Sequence, residues 1–79
     1  MMISRDKLIK QFVTESGWSP AEAPKFADWY LMVDHLVAKK IGVGIHDIGD
    51  WGYADAFEDG RTPASAAKEV AALFNRGEL

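Results

Sequence analysis

Apolar residues recur every three or four positions in several stretches of the chain, which is the spacing of one helix face. The first stripe is Leu8, Ile9, Phe12 and Val13. Ser4 precedes it as a plausible N-cap, and Ile3 could pack on Leu8 as a hydrophobic staple. Gly17 supplies a left-handed end. This stretch therefore predicts a first helix over 5–16.

A second helix is interrupted near its start. The segment 19–22, Ser-Pro-Ala-Glu, combines a capping box with a proline at the first helical position, which predicts a short turn over 20–23. Pro24 then removes a backbone donor and clashes with the preceding turn. We therefore expect a kink or restart, with the long helix running from Pro24 or Lys25 to about Lys40.

This second helix carries the broadest apolar arc of the chain, which is typical of a central helix with several neighbours. The arc comprises Phe26, Ala27, Tyr30, Leu31, Val33, Val37, Ala38 and Ile41. Asp34 projects from the same side. A buried carboxylate needs a partner, so we expect a bond to Asp34 from a Trp indole, Tyr53, an Arg or the glycine loop that follows. The alternative is an exposed groove at that point.

The segment 42–46 predicts a loop or one short extended piece. Asp47 or Asp50 is expected to cap a third helix, whose regular part spans 51–59 and ends at Gly60. Tyr53, Ala56 and Phe57 should face the core, because they share one side of that helix.

Thr62 and Pro63 are a strong helix start, because they place a cap before a proline at the first helical position. The fourth helix, 63 to about 75, presents an alanine-rich face to the second helix. We expect an all-α fold in one domain, 1–79: a small bundle of three main helices plus one short helix, packed around the central helix (about 25–40). The predicted core is Leu8, Phe12, Phe26, Tyr30, Val33, Val37, Phe57, Val70 and Phe74.

Composition limits the chemistry. The chain has 79 residues, no cysteine and two histidines, which excludes disulfides and thiolate metal sites. The longest apolar run, 29–33, is too short to span a membrane, and no signal-like segment is visible, so we expect a cytoplasmic protein.

Charge is uneven along the chain. The net charge is −3, with six Lys/Arg against five Asp/Glu in 1–46 and three against seven in 47–79. The basic footprint that phosphate binding needs is missing, so nucleic acid is an unlikely partner on charge grounds. The acidic half is either a solvated face or a face for a basic protein.

Candidate catalytic groups all have simpler explanations. His46, Asp47 and Asp50 are too few converging ligands for a metal, and the two carboxylates are expected to be caps. Serines and threonines at helix starts serve as caps, and no glycine motif for phosphate is complete. We therefore predict no catalytic, cofactor-binding or metal-binding residue.

The C-terminal half places an acidic aromatic segment, a glycine and a Thr-Pro pair before an alanine-rich helix. The residues are Asp47, Ile48, Asp50, Tyr53, Asp55 to Gly60, Thr62, Pro63, Ala66, Ala67 and Val70. This pattern resembles small phage-encoded helical proteins without an assigned activity, in which an acidic aromatic helix, a glycine and a (Ser/Thr/Asp)-Pro pair introduce an alanine-rich helix. The resemblance implies a phage or prophage accessory protein.

Function is expected to lie in protein binding rather than catalysis. The predicted partner-binding residues are Trp51, Asp55, Glu58 and Asp59. At spacing i, i+4, i+7, the first three would share a helix face, with Trp51 either folded over the core edge or exposed as an anchor. The partner's identity and the oligomeric state stay open, a homodimer included.

A DNA-binding regulator is the alternative. Residues 51–75 would form a degenerate helix-turn-helix, whose second helix offers Ser65, Lys68, Glu69 and Arg76 to DNA. The carboxylates of the preceding helix would face phosphates unfavourably.

Overall fold

The computed structural model describes residues 4–79, and its regular structure there is helical throughout. The elements are α1 (Arg5–Glu15), α2 (Ala23–Ile41), a 3₁₀-helix (Ile45–Asp47), α3 (Tyr53–Glu58) and α4 (Pro63–Asn75). α1, α3, α4 and the 3₁₀-helix all pack on α2, and α4 does so most extensively. The predicted all-α bundle around a central helix is confirmed.

Capping side chains begin α1 and α4 as predicted. Ser4 Oγ accepts a hydrogen bond from the backbone N–H of Lys7 at 3.2 Å, and Thr62 Oγ1 accepts one from Ser65 at 3.1 Å. Each bond satisfies a donor that the first helical turn leaves free. The proposed staple on Ile3 lies outside the described residues.

The predicted turn before α2 is present. Residues 20–22 form a hydrogen-bonded turn, and α2 begins at Ala23, one residue before the predicted start. Pro24 therefore lies in the first turn of the helix, where a missing backbone donor is tolerated. Gly42, with φ of 80°, ends α2 in the left-handed conformation that glycine adopts without steric conflict.

The predicted core is mostly correct. Six of its residues are buried: Leu8, Phe12, Phe26, Val33, Val37 and Val70. Tyr30 and Phe57 are half-buried and pack against them. The prediction of Phe74 as a core residue is wrong, because its side chain is half-buried and does not pack against the cluster of buried residues. It lies at the end of α4, one helical turn beyond the last buried residues of that helix.

Aromatic rings form a network around Phe26. The rings whose centroids lie within 6.0 Å of its own belong to Phe12, Trp18, Trp29, Tyr30 and Phe57. Tyr30 extends the network to Tyr53, and Tyr53 extends it to Trp51. The short helix α3 is thus attached to α2 mainly through rings, which bury large apolar areas per residue.

The stretch between α2 and α3 differs from its prediction. Ile45 is buried at 4% exposure and starts a 3₁₀-turn where a simple loop was expected. Asp47 and Asp50 do not cap α3, whose N-cap residue is Gly52 without a side-chain bond. Gly52, at φ −75° and ψ 63°, forms an inverse γ-turn in which Tyr53 N–H donates to Trp51 O at 2.8 Å. This turn starts the helix two residues later than predicted.

None of the helices within residues 4–79 combines the length and the apolar character that crossing a bilayer requires.

Candidate interaction face around α3

The short helix α3 has an inner and an outer side. Ala56 is buried, while Tyr53 and Phe57 are half-buried against the core, which confirms the predicted inner face. Asp55 and Glu58 are exposed on the other side. Asp59, the C-cap residue, is exposed beside them.

Among residues 4–79 no cation forms an ion pair with these three carboxylates. The ion pairs within residues 4–79 are Arg5–Asp28, Lys25–Glu22, Arg61–Glu69 and Arg76–Glu78, and none involves α3. Arg61, two residues after the α3 cap, directs its guanidinium to Ser65 and Glu69 on α4 instead. The outer face of α3 is therefore a negative surface without a paired cation in the part of the chain that the structure describes.

Helix stability accounts for Asp55, which lies in the first turn of α3 where the helix dipole favours a carboxylate, but not for the other two acids. Glu58 and Asp59 stand at the C-terminal end of α3, where the helix dipole disfavours negative side chains. The end of the helix is instead stabilised by its backbone: Arg61 N–H donates to Ala56 O, and Gly60 N–H donates to Phe57 O. Together these bonds are a Schellman ending, with Gly60 at φ 79°.

Trp51 lies outside α3. The prediction that it shares a helix face with Asp55 and Glu58, at spacing i, i+4, i+7, is therefore wrong. It is half-buried against the core edge, and its ring makes an edge contact with Tyr53 at 5.2 Å between centroids. Its Nε1–H donates to Glu69 Oε2 at 3.1 Å, while the Arg61 guanidinium lies 5.3 Å from its ring centroid. The residue thus packs at the core edge and is partly exposed.

Asp55 lies beside the turn that precedes α3. A Cβ built on Gly52 would lie 3.8 Å from Asp55 Oδ2, so this carboxylate folds back over the N-cap residue of the helix. The four predicted partner-binding residues are neighbours in the sequence, within 51–59, but helical spacing does not align them.

Asp34 has the partner that the sequence requires. Its Oδ1 accepts a hydrogen bond from the backbone N–H of Ile45 at 2.9 Å, which ties the glycine loop to α2. A Cβ on Gly44 would lie 2.6 Å from the same oxygen, closer than real contacts allow. The loop can approach Asp34 only because residue 44 is glycine. The bond confirms the expected satisfied carboxylate, with the glycine loop as its donor.

Two tyrosines form the polar part of the core near this loop. The rings of Tyr30 and Tyr53 meet edge to face at 5.4 Å. Burial, with further contributions from Tyr30, Asp34 and Asp50, raises the pKa of Tyr53 to about 12. Burial also raises the pKa of Tyr30. Within residues 4–79 no group bonds the buried Tyr53 hydroxyl.

His46 and Asp47 lie in the 3₁₀-helix, exposed, with Asp50 exposed a few residues later. The His46 ring faces Tyr30 at 5.6 Å between centroids. No group of three or more potential metal ligands converges within residues 4–79.

Two phage proteins are similar in sequence to this chain. Over 42 residues the chain is 40% identical to the Gene 87 protein of Mycobacterium phage L5, covering 53% of this chain and 79% of that protein. The chain belongs to the family of mycobacteriophage Gene 87 proteins. The Gene 87 protein of Mycobacterium phage D29 is 41% identical over 44 residues, covering 56% of this chain and 82% of that protein. The predicted resemblance to small phage-encoded proteins is confirmed.

The aligned residues make up a larger share of each Gene 87 protein than of this chain, so both phage proteins are shorter than this chain. No protein-family model and no solved structure matches the chain. The family thus establishes a phage relationship, and the function must be argued from the molecule.

Two contacts near this face were not predicted from the sequence. Trp29 is 8% exposed and donates its Nε1–H to Arg61 O at 2.8 Å, which joins α2 to the turn before α4. Its position three residues after Phe26 and four before Val33 is helical spacing, so the apolar pattern contained the signal. The ion pair between Arg61 and Glu69 has no comparable local signal, since it spans a turn and two helical turns.

Proposed function

We propose that this chain is a small non-catalytic protein-interaction module that acts as a phage accessory or regulatory protein in the host cytoplasm. It binds a basic surface of a protein partner through the outer face of α3, formed by Asp55, Glu58 and Asp59. The accessible part of the Trp51 ring adds apolar contact at the edge of this face. No cofactor is part of the proposal.

The observation that carries the proposal is the uncompensated charge of α3. Its three exposed carboxylates lack a cation within residues 4–79, while the nearby Arg61 is committed to Glu69 and Ser65. Two of these carboxylates also oppose the helix dipole, so helix stability does not account for them. A basic partner would supply the missing countercharge, and such complementarity raises association rates and selects partners.

Charge and packing give less support to the DNA-binding alternative. α3 and α4 each pack on α2, and α3 has only six residues. On α4, Ser65 and Glu69 are already bonded to Arg61, and Arg76 is paired with Glu78. Salt-sensitive retention on heparin would nevertheless favour that alternative.

The test compares two triple variants that remove equal charge. Asp55→Asn, Glu58→Gln and Asp59→Asn neutralise α3, whereas Asp6→Asn, Glu15→Gln and Glu22→Gln neutralise exposed acids elsewhere. Both triples and the unmodified protein are used to capture partners from a mycobacterial lysate, since the relatives infect Mycobacterium. The retained protein is identified by mass spectrometry, purified and titrated by calorimetry at several salt concentrations.

The proposal expects one partner that the control triple binds as tightly as the unmodified protein does. The α3 triple should bind it at least about tenfold more weakly, because three rim charges contribute roughly 0.5 kcal/mol each. Equal weakening by both triples would assign the effect to net charge and overturn the proposal. Equal binding by all three proteins would do the same.

A further inference from the structure

The segment 48–52, which joins the 3₁₀-helix to α3, is held to the rest of the protein by two side chains and by a close approach of Gly49 to Leu79, where a Cβ on Gly49 would lie 3.3 Å from the Leu79 backbone. It has no helical structure and contains two glycines, Gly49 and Gly52. Ile48 and Trp51 pack on the core as half-buried residues. Such a segment can move between two glycine hinges without breaking a helix.

One cluster of polar contacts fastens this segment to α4. Glu69 accepts from Trp51 through Oε2 at 3.1 Å and from Arg61 through Oε1 at 3.2 Å. The Arg61 guanidinium also lies over the Trp51 ring and donates to Ser65. We name Trp51, Arg61 and Glu69 the latch, because Glu69 joins the segment to α4 and Arg61 holds Glu69 in place.

The latch is accessible to water, and a residue in contact with the segment has a poorly satisfied hydroxyl. The side chains of Arg61 and Glu69 are 31% and 47% exposed, and exposed ion pairs contribute little to stability. Tyr53, in edge contact with Trp51, has a buried hydroxyl without a partner in residues 4–79. Asp50, within the segment, is among the charges that raise the pKa of Tyr53. Opening the segment would admit water to this hydroxyl and so offset part of the lost contact.

We propose that segment 48–52 is a hinged strap, which opens from α4 while the helical bundle stays folded, and that the latch sets how often it opens. Trp51 is the moving side chain, and Glu69 is the residue whose bonds keep it closed. This inference does not depend on the proposed function, since it concerns the free protein.

Solvent exchange of the tryptophan indole protons, followed by NMR, tests the strap directly. The Trp51 proton reports strap opening, whereas the buried Trp29 proton, bonded to Arg61 O, reports unfolding of the bundle. The unmodified protein is compared with Glu69→Ala and with Glu15→Ala, which removes an exposed carboxylate of α1, outside the latch. The backbone amide of Tyr53, which donates to Trp51 O of the segment at 2.8 Å, is followed in the same experiments.

We expect Glu69→Ala to speed exchange of the Trp51 indole proton roughly tenfold, the effect of losing a charged hydrogen bond. The Trp29 proton should be unchanged, the Tyr53 amide should follow Trp51, and Glu15→Ala should match the unmodified protein. Equal acceleration of Trp29 and Trp51 would mean general destabilisation and overturn the strap. Unchanged Trp51 exchange, or faster Trp51 exchange without faster exchange of the Tyr53 amide, would overturn it as well.

Discussion

α4 and the aromatic network pack on α2 with different side chains. α4 buries Ala66, Ala67 and Val70 completely, at 0% exposure. The network instead leaves Tyr30 and Tyr53 half-buried, with hydroxyl groups that need partners. Small aliphatic residues allow two helices to approach closely and carry no polar atom, whereas large rings bury more area and bring polar atoms with them.

This difference separates two kinds of constraint. At the α4 contact the constraint is volume, because any added atom meets a neighbouring helix. At the network the constraint is also polar, since Asp34, Trp29 and the tyrosines must find donors or acceptors. The aromatic network, unlike the α4 contact, therefore brings polar side chains to the surface of the protein.

Removing the central ring should have the largest effect. Phe26→Ala is expected to lower the free energy of unfolding by about 3–5 kcal/mol, much of the roughly 4–12 kcal/mol available to a chain of this size. The reason is that the network is built around this ring. Urea denaturation followed by circular dichroism measures it.

The matched control is Phe74→Ala, which removes the same ring outside the core cluster. We expect less than about 1 kcal/mol there, as for a partly exposed site. Similar losses of unfolding free energy for the two variants would show that the aromatic network contributes no more to stability than a ring outside it.

Volume at the α4 contact is tested by Ala67→Leu. Ala67 is completely buried, so the larger side chain should destabilise the protein by about 1–3 kcal/mol through overpacking. Ala64→Leu adds the same atoms on the exposed side of α4 and should stay within about 0.5 kcal/mol. Thermal melts of the pair separate volume from helix propensity, and equal melting temperatures would contradict close packing.

The polar constraint is tested by a double-mutant cycle at the glycine loop. Gly44→Ala should cost about 1–2 kcal/mol, because its Cβ would lie 2.6 Å from Asp34 Oδ1. Asp34→Ala should cost about 1–3 kcal/mol, because the Ile45 N–H loses its acceptor. In the Asp34→Ala background, Gly44→Ala should be neutral or stabilising, since the opposing oxygen is gone and alanine restricts the unfolded chain. Additive costs would disprove the contact.

The smallest effect at neutral pH is expected for Tyr53→Phe. It removes a hydroxyl that has no partner within residues 4–79, so the melting temperature should stay the same or rise slightly. A fall of several degrees would show that this hydroxyl makes a stabilising bond.

At alkaline pH the same hydroxyl lowers stability. The pKa of Tyr53 is raised from 10.0 in the unfolded chain to about 12, so the folded protein keeps its proton longer. This contribution to stability is complete below pH 10 and is lost as pH rises from 10 to 12. Tyr53→Phe should lessen that alkaline loss. In Tyr30→Phe protein, where Tyr53 is the only tyrosine, the absorbance change at 295 nm should be centred well above pH 10.

The starts of α1 and α4 and most of the buried faces of the helices followed from the sequence alone. Ser4, Thr62 and Pro63 marked helix starts, because capping depends on residues within one turn of each other. The apolar period identified α2 as the central helix for the same reason, since burial of one face depends on local spacing. Even the need of Asp34 for a partner could be deduced, because burying an unbonded carboxylate is costly.

Tertiary structure alone decided which groups meet across the bundle. The start of α3 at Tyr53, the Gly44 approach to Asp34 and the joining of Trp51 to Arg61 and Glu69 all depend on how separate segments dock on α2. Several arrangements satisfy the same local pattern, and the choice among them is made by packing and hydrogen bonding between residues far apart in the chain.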